Sequence, residues 1–310
     1  MTHVATLVGA ADAQTISPDL IAAAARRLPG ARDPEILAPN RAADIPFAPG
    51  AAHGNPDDGS FADVGYCRAA ADVLRMTLGG APVDIFVQPR AWRRKKLFLA
   101  DMDSTMIGQE CIDELADFVG LKEKVAAITE RAMRGEIAFE PALRERVALL
   151  KGLDVSVVDE AIATRIVPNP GGRELVMTMR AHGAYAALVS GGFTVFTSAI
   201  AEKLGFQENR ANVLKIEDGK FLGEVEEPVL GKAAKLAALL ELRGLLELAP
   251  EETLAVGDGA NDLDMLEAAG LGVAFRAKPA VASAAHARID HSDLTALLFA
   301  QGYRLDEFVS

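Results

Sequence analysis

Short apolar runs recur along the chain at 3–8, 82–87, 96–100, 185–189, 253–256 and 271–274, most of them halted by Gly, Pro, Asp or Ser. They are too short for buried helices and predict strands. Between them apolar residues return at helical spacing, predicting helices over 18–28, 64–78, 110–119, 122–133, 139–150, 156–163, 172–182, 194–204, 231–243 and 263–269. Ser17-Pro18 opens the first of these with an N-cap residue and a first-turn proline. The runs 213–216 and 221–225 flank Glu217-Asp218-Gly219-Lys220, whose Asp-Gly is a hairpin signal. The Pro-rich stretch 33–59 reads as a loop or a frayed edge strand.

From 96 onward strands alternate with helices, which predicts a parallel sheet, interrupted by an all-helical insert at about 109–183. The first 92 residues carry nine of the fifteen prolines and no lysine, so a small α+β domain is expected over 1–92 and an α/β domain over 93–310. The charged run 91–96 at the junction reads as a solvated linker. A length of 310 residues suits two domains of about 150 residues each.

The formal charge of −12 and the apolar half of the chain argue against disorder, nucleic-acid binding and acidic membrane surfaces. No apolar run is long enough to span a membrane and the start of the chain lacks a secretory pattern, so the expected location is the cytoplasm. Cys67 and Cys111 form no C-x-x-C and no disulfide framework, and read as core thiols.

Three strand ends carry the candidate chemistry: Asp101-Met102-Asp103-Ser104-Thr105, Ser190-Gly191-Gly192 and Gly257-Asp258-Gly259-Ala260-Asn261-Asp262. Each alone can be an ordinary capped turn. In an open parallel sheet, however, such ends converge on one crevice. Gathered carboxylates repel unless a cation sits between them, and all-oxygen donors suit Mg²⁺. The histidines argue against zinc, because His3, His53, His182, His286 and His291 show no ligand spacing near a carboxylate. The Gly191-Gly192 backbone can cradle an anion, and a nearby lysine would complete a phosphoryl site. Of two aspartates two residues apart, Asp101 can attack phosphorus while Asp103 moves the proton. A dinucleotide fingerprint is rejected, because Asp262 stands where its last glycine belongs. A G-x-S-x-G elbow is absent, since Leu188-Val189 precede Ser190.

These motifs, with a lysine at a helix head between the last two, resemble in order the four motifs of haloacid-dehalogenase-like phosphatases. The runs 101–116 and 256–262, with Ala277-Lys278-Pro279, are similar to the branch that hydrolyses phosphoserine. The resemblance covers about 95–300 and implies a Rossmann-like α/β core with a helical cap at about 106–183. It implies Asp101 as nucleophile and Asp103 as general acid/base. Mg²⁺ is then held by Asp101, the Asp103 backbone carbonyl and Asp258, with Asp262 supporting the metal shell. Ser190, Gly191 and Lys232 are implied to hold the phosphoryl group, Lys232 being preferred over Lys235 by register. Gly192 and Asn261 are implied to contact substrate, Glu110 to face its ammonium, and Arg146, preferred over Arg144, to grip its carboxylate. Met133 and Phe139 are implied to wall the pocket. The expected reaction is Mg²⁺-dependent hydrolysis of O-phospho-L-serine through an aspartyl-phosphate, the last step of serine biosynthesis. The alternative is a phosphatase or phosphotransferase acting on another small metabolite such as homoserine phosphate. The N-terminal part resembles ACT-type regulatory modules, which implies either amino-acid sensing or a structural, dimerising role.

Overall fold

The computed structural model describes residues 2–11, 13–49, 64–133 and 136–310, without the side chains of Ala132 and Met133. The N-terminal part forms β1 (His3–Gly9), α1 (Pro18–Ala25), β2 (Glu35–Ala38), β3 (Ala42–Phe47), α2 (Val64–Thr77) and β4 (Val83–Pro89). Its strands make one antiparallel sheet in the order β2-β3-β1-β4. Ser17 caps α1, accepting the Leu20 N–H at 3.2 Å. The Pro-rich stretch thus builds two strands in its first part; residues 50–63, His53 among them, lie outside the described residues. Pro46 is tolerated inside β3 because a strand residue's N–H and C=O share a side. The Pro46 carbonyl accepts from Arg32 N–H at 2.8 Å, beyond the end of β2, so the missing donor costs no ladder bond.

Side chains alternate between the faces of a strand. Ala5, Leu7, Ala43, Ile45, Val83, Ile85 and Val87 therefore pack with α1 and α2, while Thr6, Val8, Asp44, Asp84, Phe86 and Gln88 are buried on the opposite face. The chain's C-terminal end covers that second face. The Asp84 carboxylate accepts the N–H groups of Asp290, His291 and Ser292 at 2.8, 3.2 and 2.7 Å, and Gln88 Nε2 donates to the Ala300 carbonyl at 2.7 Å. The junction at 91–96 is not simply solvated. Arg93 forks onto Asp44 at 2.6 and 3.0 Å and reaches the Phe299 and Ala300 carbonyls, and Lys95 is buried against the Glu251 carbonyl. A planar guanidinium can satisfy a buried carboxylate and two helix carbonyls at once, which periodicity does not reveal.

The second part runs β5 (Leu97–Ala100), α3 (Cys111–Phe118), α4 (Lys122–Met133), α5 (Phe139–Ala148), α6 (Ser156–Thr164), α7 (Gly172–Ala181), β6 (Tyr185–Phe193), α8 (Thr194–Leu204), β7 (Glu208–Asn212), the hairpin β8 (Leu214–Glu217) and β9 (Lys220–Val225), α9 (Lys232–Leu245), β10 (Thr253–Gly257), α10 (Leu263–Ala268), β11 (Leu271–Phe275), α11 (Pro279–Ala284), β12 (Ala287–Ile289) and α12 (Ala296–Ala300). Six strands pair in parallel in the order β12-β11-β10-β5-β6-β7. The chain adds β6 and β7 on one side of β5 and β10 to β12 on the other. The winding therefore reverses at β5, and the carboxyl ends of β5, β6 and β10 flank one crevice.

Three expectations change. β6 does not stop at Val189 but continues through Ser190-Gly191-Gly192 to Phe193. The insert read as ending near 183 forms a cap of α3 to α6, whereas α7 packs on β6 and α8 with Leu175, Val176 and Met179 buried in the core. β7 was not expected, because Glu208-Asn209-Arg210-Ala211-Asn212 lies at a sheet edge and carries no apolar run. The hairpin turns at Asp218-Gly219, both at positive φ (50° and 74°), as its sequence predicts. It also leans on the cap, the N–H groups of Gly152 and Val155 donating to the Phe221 and Gly219 carbonyls at 2.8 and 2.9 Å.

His286 accepts the Gly272 N–H on Nδ1 at 3.1 Å, and burial pushes its pKa down to about 4. Below pH 6.5 the unfolded chain takes up this proton and the folded chain does not, so the group costs stability as pH falls from 6.5 towards 4. His286→Asn, which offers an oxygen acceptor and does not titrate, should lose this component. Urea unfolding at pH 7.5 and pH 4.5 should show an acid penalty about 2 kcal/mol smaller in the variant than in the parent. Equal penalties would remove His286 from acid sensitivity.

Candidate active site

Asp101 follows the last residue of β5 and is 4% exposed. The chain then turns tightly over 102–106, with Ser104 at φ 55°. The turn is held by Ser104 N–H donating to the Gln109 carbonyl at 3.2 Å and by Ser104 Oγ donating to Glu110 Oε1 at 2.7 Å. Asp103 Oδ1 accepts at 3.1 Å the N–H of Cys111, a first-turn donor of α3 that has no partner within its helix. At the end of β6, Ser190 Oγ accepts the Gly192 N–H at 2.8 Å and lies 3.5 Å from Asp103 Oδ2.

The glycines let carboxylates approach the backbone. A Cβ at Gly192 would stand 2.9 Å from Asp103 Oδ2, and one at Gly257 would stand 2.4 Å from Asp262 Cγ. Cβ atoms at Gly191 and Gly231 would lie 3.4 and 3.3 Å from the Phe139 ring. The cap thus sets Phe139 across the end of β6 at Gly191 and the turn into α9 at Gly231. The Met133 side chain lies outside the described residues.

Oxygens of Asp101, Asp258 and Asp262 lie within 4.8 Å of one another. Lys235 Nζ donates to Asp101 Oδ1 and Asp262 Oδ1, both at 2.6 Å. Here the structure departs from the register that favoured Lys232. Lys232 is exposed and pairs with Asp264 at 2.9 Å, whereas Lys235 is 2% exposed. Phase does not separate the two, since residues three apart share a helix face; Lys235 stands one turn deeper, at the head of the buried stripe Lys235, Ala238, Leu239, Leu242, whereas Lys232 is the first residue of α9 and opens to solvent.

One ammonium does not balance these acids. Burial, then the Asp262 charge, holds Asp101 well above the usual carboxylate range despite Lys235. Burial and Asp262 push Asp258 up to about 6, and burial and Asp103 push Glu110 up to about 7. Asp103 is raised by burial as well. Burial opposes the charge on Lys235, but Asp101 and Asp262 outweigh it and hold the ammonium above its ordinary pKa. A hard divalent cation fits a set of donors that is all oxygen and short of positive charge. Asp262, read as supporting the metal shell, belongs to this cluster directly; Asn261 remains beside Gly259 in the same loop.

Of the two candidate arginines in α5, Arg144 pairs on the surface with Glu140 and Glu227. Arg146 is half-buried, and the carboxylates that attract it are Asp113, Glu110 and Asp103. Sequence reasoning missed two supports. Thr105 Oγ1 donates to Asp258 Oδ1 at 3.4 Å. Asn212 ties the end of β6 to the segment before α9, Nδ2 donating to the Gly191 carbonyl at 2.8 Å and Oδ1 accepting Leu230 N–H at 2.7 Å. Asn212 carried no signal, because it ends a strand that itself had none. No helix among the described residues is long and apolar enough to cross a membrane.

The family model for haloacid dehalogenase-like hydrolase matches residues 98–267. A phosphoserine phosphatase of Albidiferax ferrireducens is 47% identical over 71% of this chain and 94% of its own. A HAD family hydrolase from Salmonella enterica serovar Typhi superposes with a TM-score of 0.80 at 29% identity, over 99% of both chains, so the N-terminal sheet is part of the likeness. A structure described as a phospho-aspartyl intermediate analogue of phosphoserine phosphatase shares 43% identity over 66% of this chain and 98% of its own, with a TM-score of 0.62.

Proposed function

Because the chain belongs to the haloacid dehalogenase-like hydrolases and is a phosphatase enzyme, we propose that it hydrolyses O-phospho-L-serine to L-serine and phosphate through an aspartyl-phosphate. The observation that carries the substrate is the cap's paired charges. Glu110 and Arg146 both feel the charge of Asp103, and they offer a carboxylate for an ammonium and a guanidinium for a carboxylate, as a small amino acid ester requires. The names of the relatives support the same substrate.

In this reading Ser190 Oγ and the Gly191 N–H receive the phosphoryl oxygens, and the Lys235 ammonium, rather than Lys232, holds Asp101. Asp101 attacks phosphorus, and the bond from phosphorus to the seryl oxygen breaks. Asp103, which burial helps to keep protonated, gives its proton to that oxygen and serine leaves. A water then yields a proton to Asp103 and attacks phosphorus, releasing Asp101 and phosphate. Mg²⁺ held by Asp101, Asp258 and Asp262 would supply the positive charge that lets a phosphate dianion approach a carboxylate. The Phe139 ring over Gly191 and Gly231 helps exclude bulk water.

We place this reaction in the cytoplasm as the last step of serine biosynthesis, in keeping with two buried, unbridged cysteines. For the N-terminal sheet we propose a structural role, since its second face is already covered by the C-terminal end of the chain.

The test is phosphate release from L-phosphoserine, homoserine phosphate, phosphothreonine and an aryl phosphate, with Mg²⁺ and then with EDTA. Phosphoserine should be preferred and EDTA should abolish turnover. Arg146→Ala should raise KM for phosphoserine about 100-fold and leave the aryl phosphate almost unchanged, because only the amino acid offers a carboxylate. Metal-dependent preference for another ester would replace the substrate, and equal effects on both substrates would remove Arg146 from recognition.

A further inference from the structure

We infer that Thr129 is a positioning residue for substrate recognition, its hydroxyl holding the Arg146 guanidinium so that its free N–H groups face the crevice. This rests on the reading of Arg146 given above. Thr129 lies in the interior of α4, and its hydroxyl donates back to the Val125 carbonyl at 3.1 Å. With its proton committed there, the oxygen accepts from Arg146 Nη1, on the neighbouring helix α5, at 3.2 Å. Arg146 Nε is committed as well, donating to the Ala142 carbonyl of its own helix at 3.3 Å. The guanidinium is therefore held at two points, while both N–H groups of Nη2 and one of Nη1 remain to grip a carboxylate.

The competing position explains why a hold is needed. Asp113 and Glu110 attract Arg146 more strongly than any other acids do. Asp113 Oδ1 is a buried oxygen with no hydrogen-bond partner among the described residues. A released guanidinium would fall onto Asp113 or Glu110, losing its own site and, in the second case, masking the acid meant for the substrate ammonium. Thr129 prevents this with one neutral hydroxyl, which adds no charge that would repel the substrate carboxylate.

The experiment measures kcat and KM for phosphoserine and p-nitrophenyl phosphate in the Mg²⁺-loaded enzyme, with Thr129→Val, Thr129→Ser, Arg146→Ala and the Thr129→Val/Arg146→Ala pair. Thr129→Val should raise KM for phosphoserine about tenfold, the worth of one hydrogen bond to a charged group, with kcat and the aryl phosphate within about twofold. Thr129→Ser should recover most of the loss, and Thr129→Val should add nothing once Arg146 is gone. Should Thr129→Val melt below assay temperature, Thr129→Ala supplies the second hydroxyl-free variant and is held to the same outcome. The inference is overturned if KM for phosphoserine moves less than about twofold, if both substrates suffer alike, or if the effect persists on the Arg146→Ala background. A null result at Thr129 with a large effect at Arg146 sinks this inference alone, whereas no effect at Arg146 sinks it together with the proposed substrate reading.

Discussion

Asp101→Asn should lose about 10⁴-fold or more in kcat while remaining folded. An amide keeps the shape of the carboxylate but cannot attack phosphorus as an anion, so the covalent route closes at its first step. Folding should survive, because Lys235 keeps its 2.6 Å contact with Asp262. The deleted charge is moreover one that burial and Asp262 already disfavour, so the urea midpoint should stay level or rise. The check is a single-turnover assay with phosphoserine beside a urea melt. Turnover near the parent rate in a folded variant would refute Asp101 as nucleophile.

Lys235→Ala should remove activity and lower unfolding free energy by about 3–5 kcal/mol, the cost of leaving buried carboxylates without their cation. Lys232→Ala should change stability by about 0.5 kcal/mol or less, because its partner Asp264 is a surface ion pair. Its activity should stay within about threefold of the parent. The contrast follows from placement: Lys235 is 2% exposed between Asp101 and Asp262, whereas Lys232 stands in water. Mg²⁺ should restore part of the stability lost in Lys235→Ala, since a cation binding the folded carboxylates but not the unfolded chain shifts the balance by mass action. Urea melts of both variants, with and without Mg²⁺, decide this. Loss of activity at Lys232 with Lys235 tolerant would return the phosphate role to Lys232.

What could be read in advance was local. The aspartates of 101–103, the serine and glycines of 190–192 and the loop 257–262 each lie within a few residues of an apolar run that stops abruptly. A parallel sheet brings such stops to one edge whatever else the chain does. The Ser17 cap and the Asp218-Gly219 turn were legible for the same reason, since both are hydrogen-bonding or φ requirements met within a few positions.

What failed involved partners far apart along the chain. The Lys235 contact to Asp101 spans 134 residues, and helical register near a motif does not say which turn of α9 meets β5. Arg93 lies 49 residues from Asp44, so a charge run that reads as solvated holds a half-buried joint between the N-terminal sheet and α12. α7 carries the same periodicity as the cap helices, and only the sheet it packs on separates it from them. β7 and Asn212 take their places from the strand and loops beside them, because an edge strand needs backbone pairing more than apolar side chains. The sequence by itself therefore determined which residue types stand at the crevice and the chemistry they share, because stop signals and turn requirements act over a few positions. Only the tertiary structure decided which lysine meets the carboxylates and that Asp262 joins Asp101 and Asp258 directly, because burial and charge balance are set by neighbours from other parts of the chain.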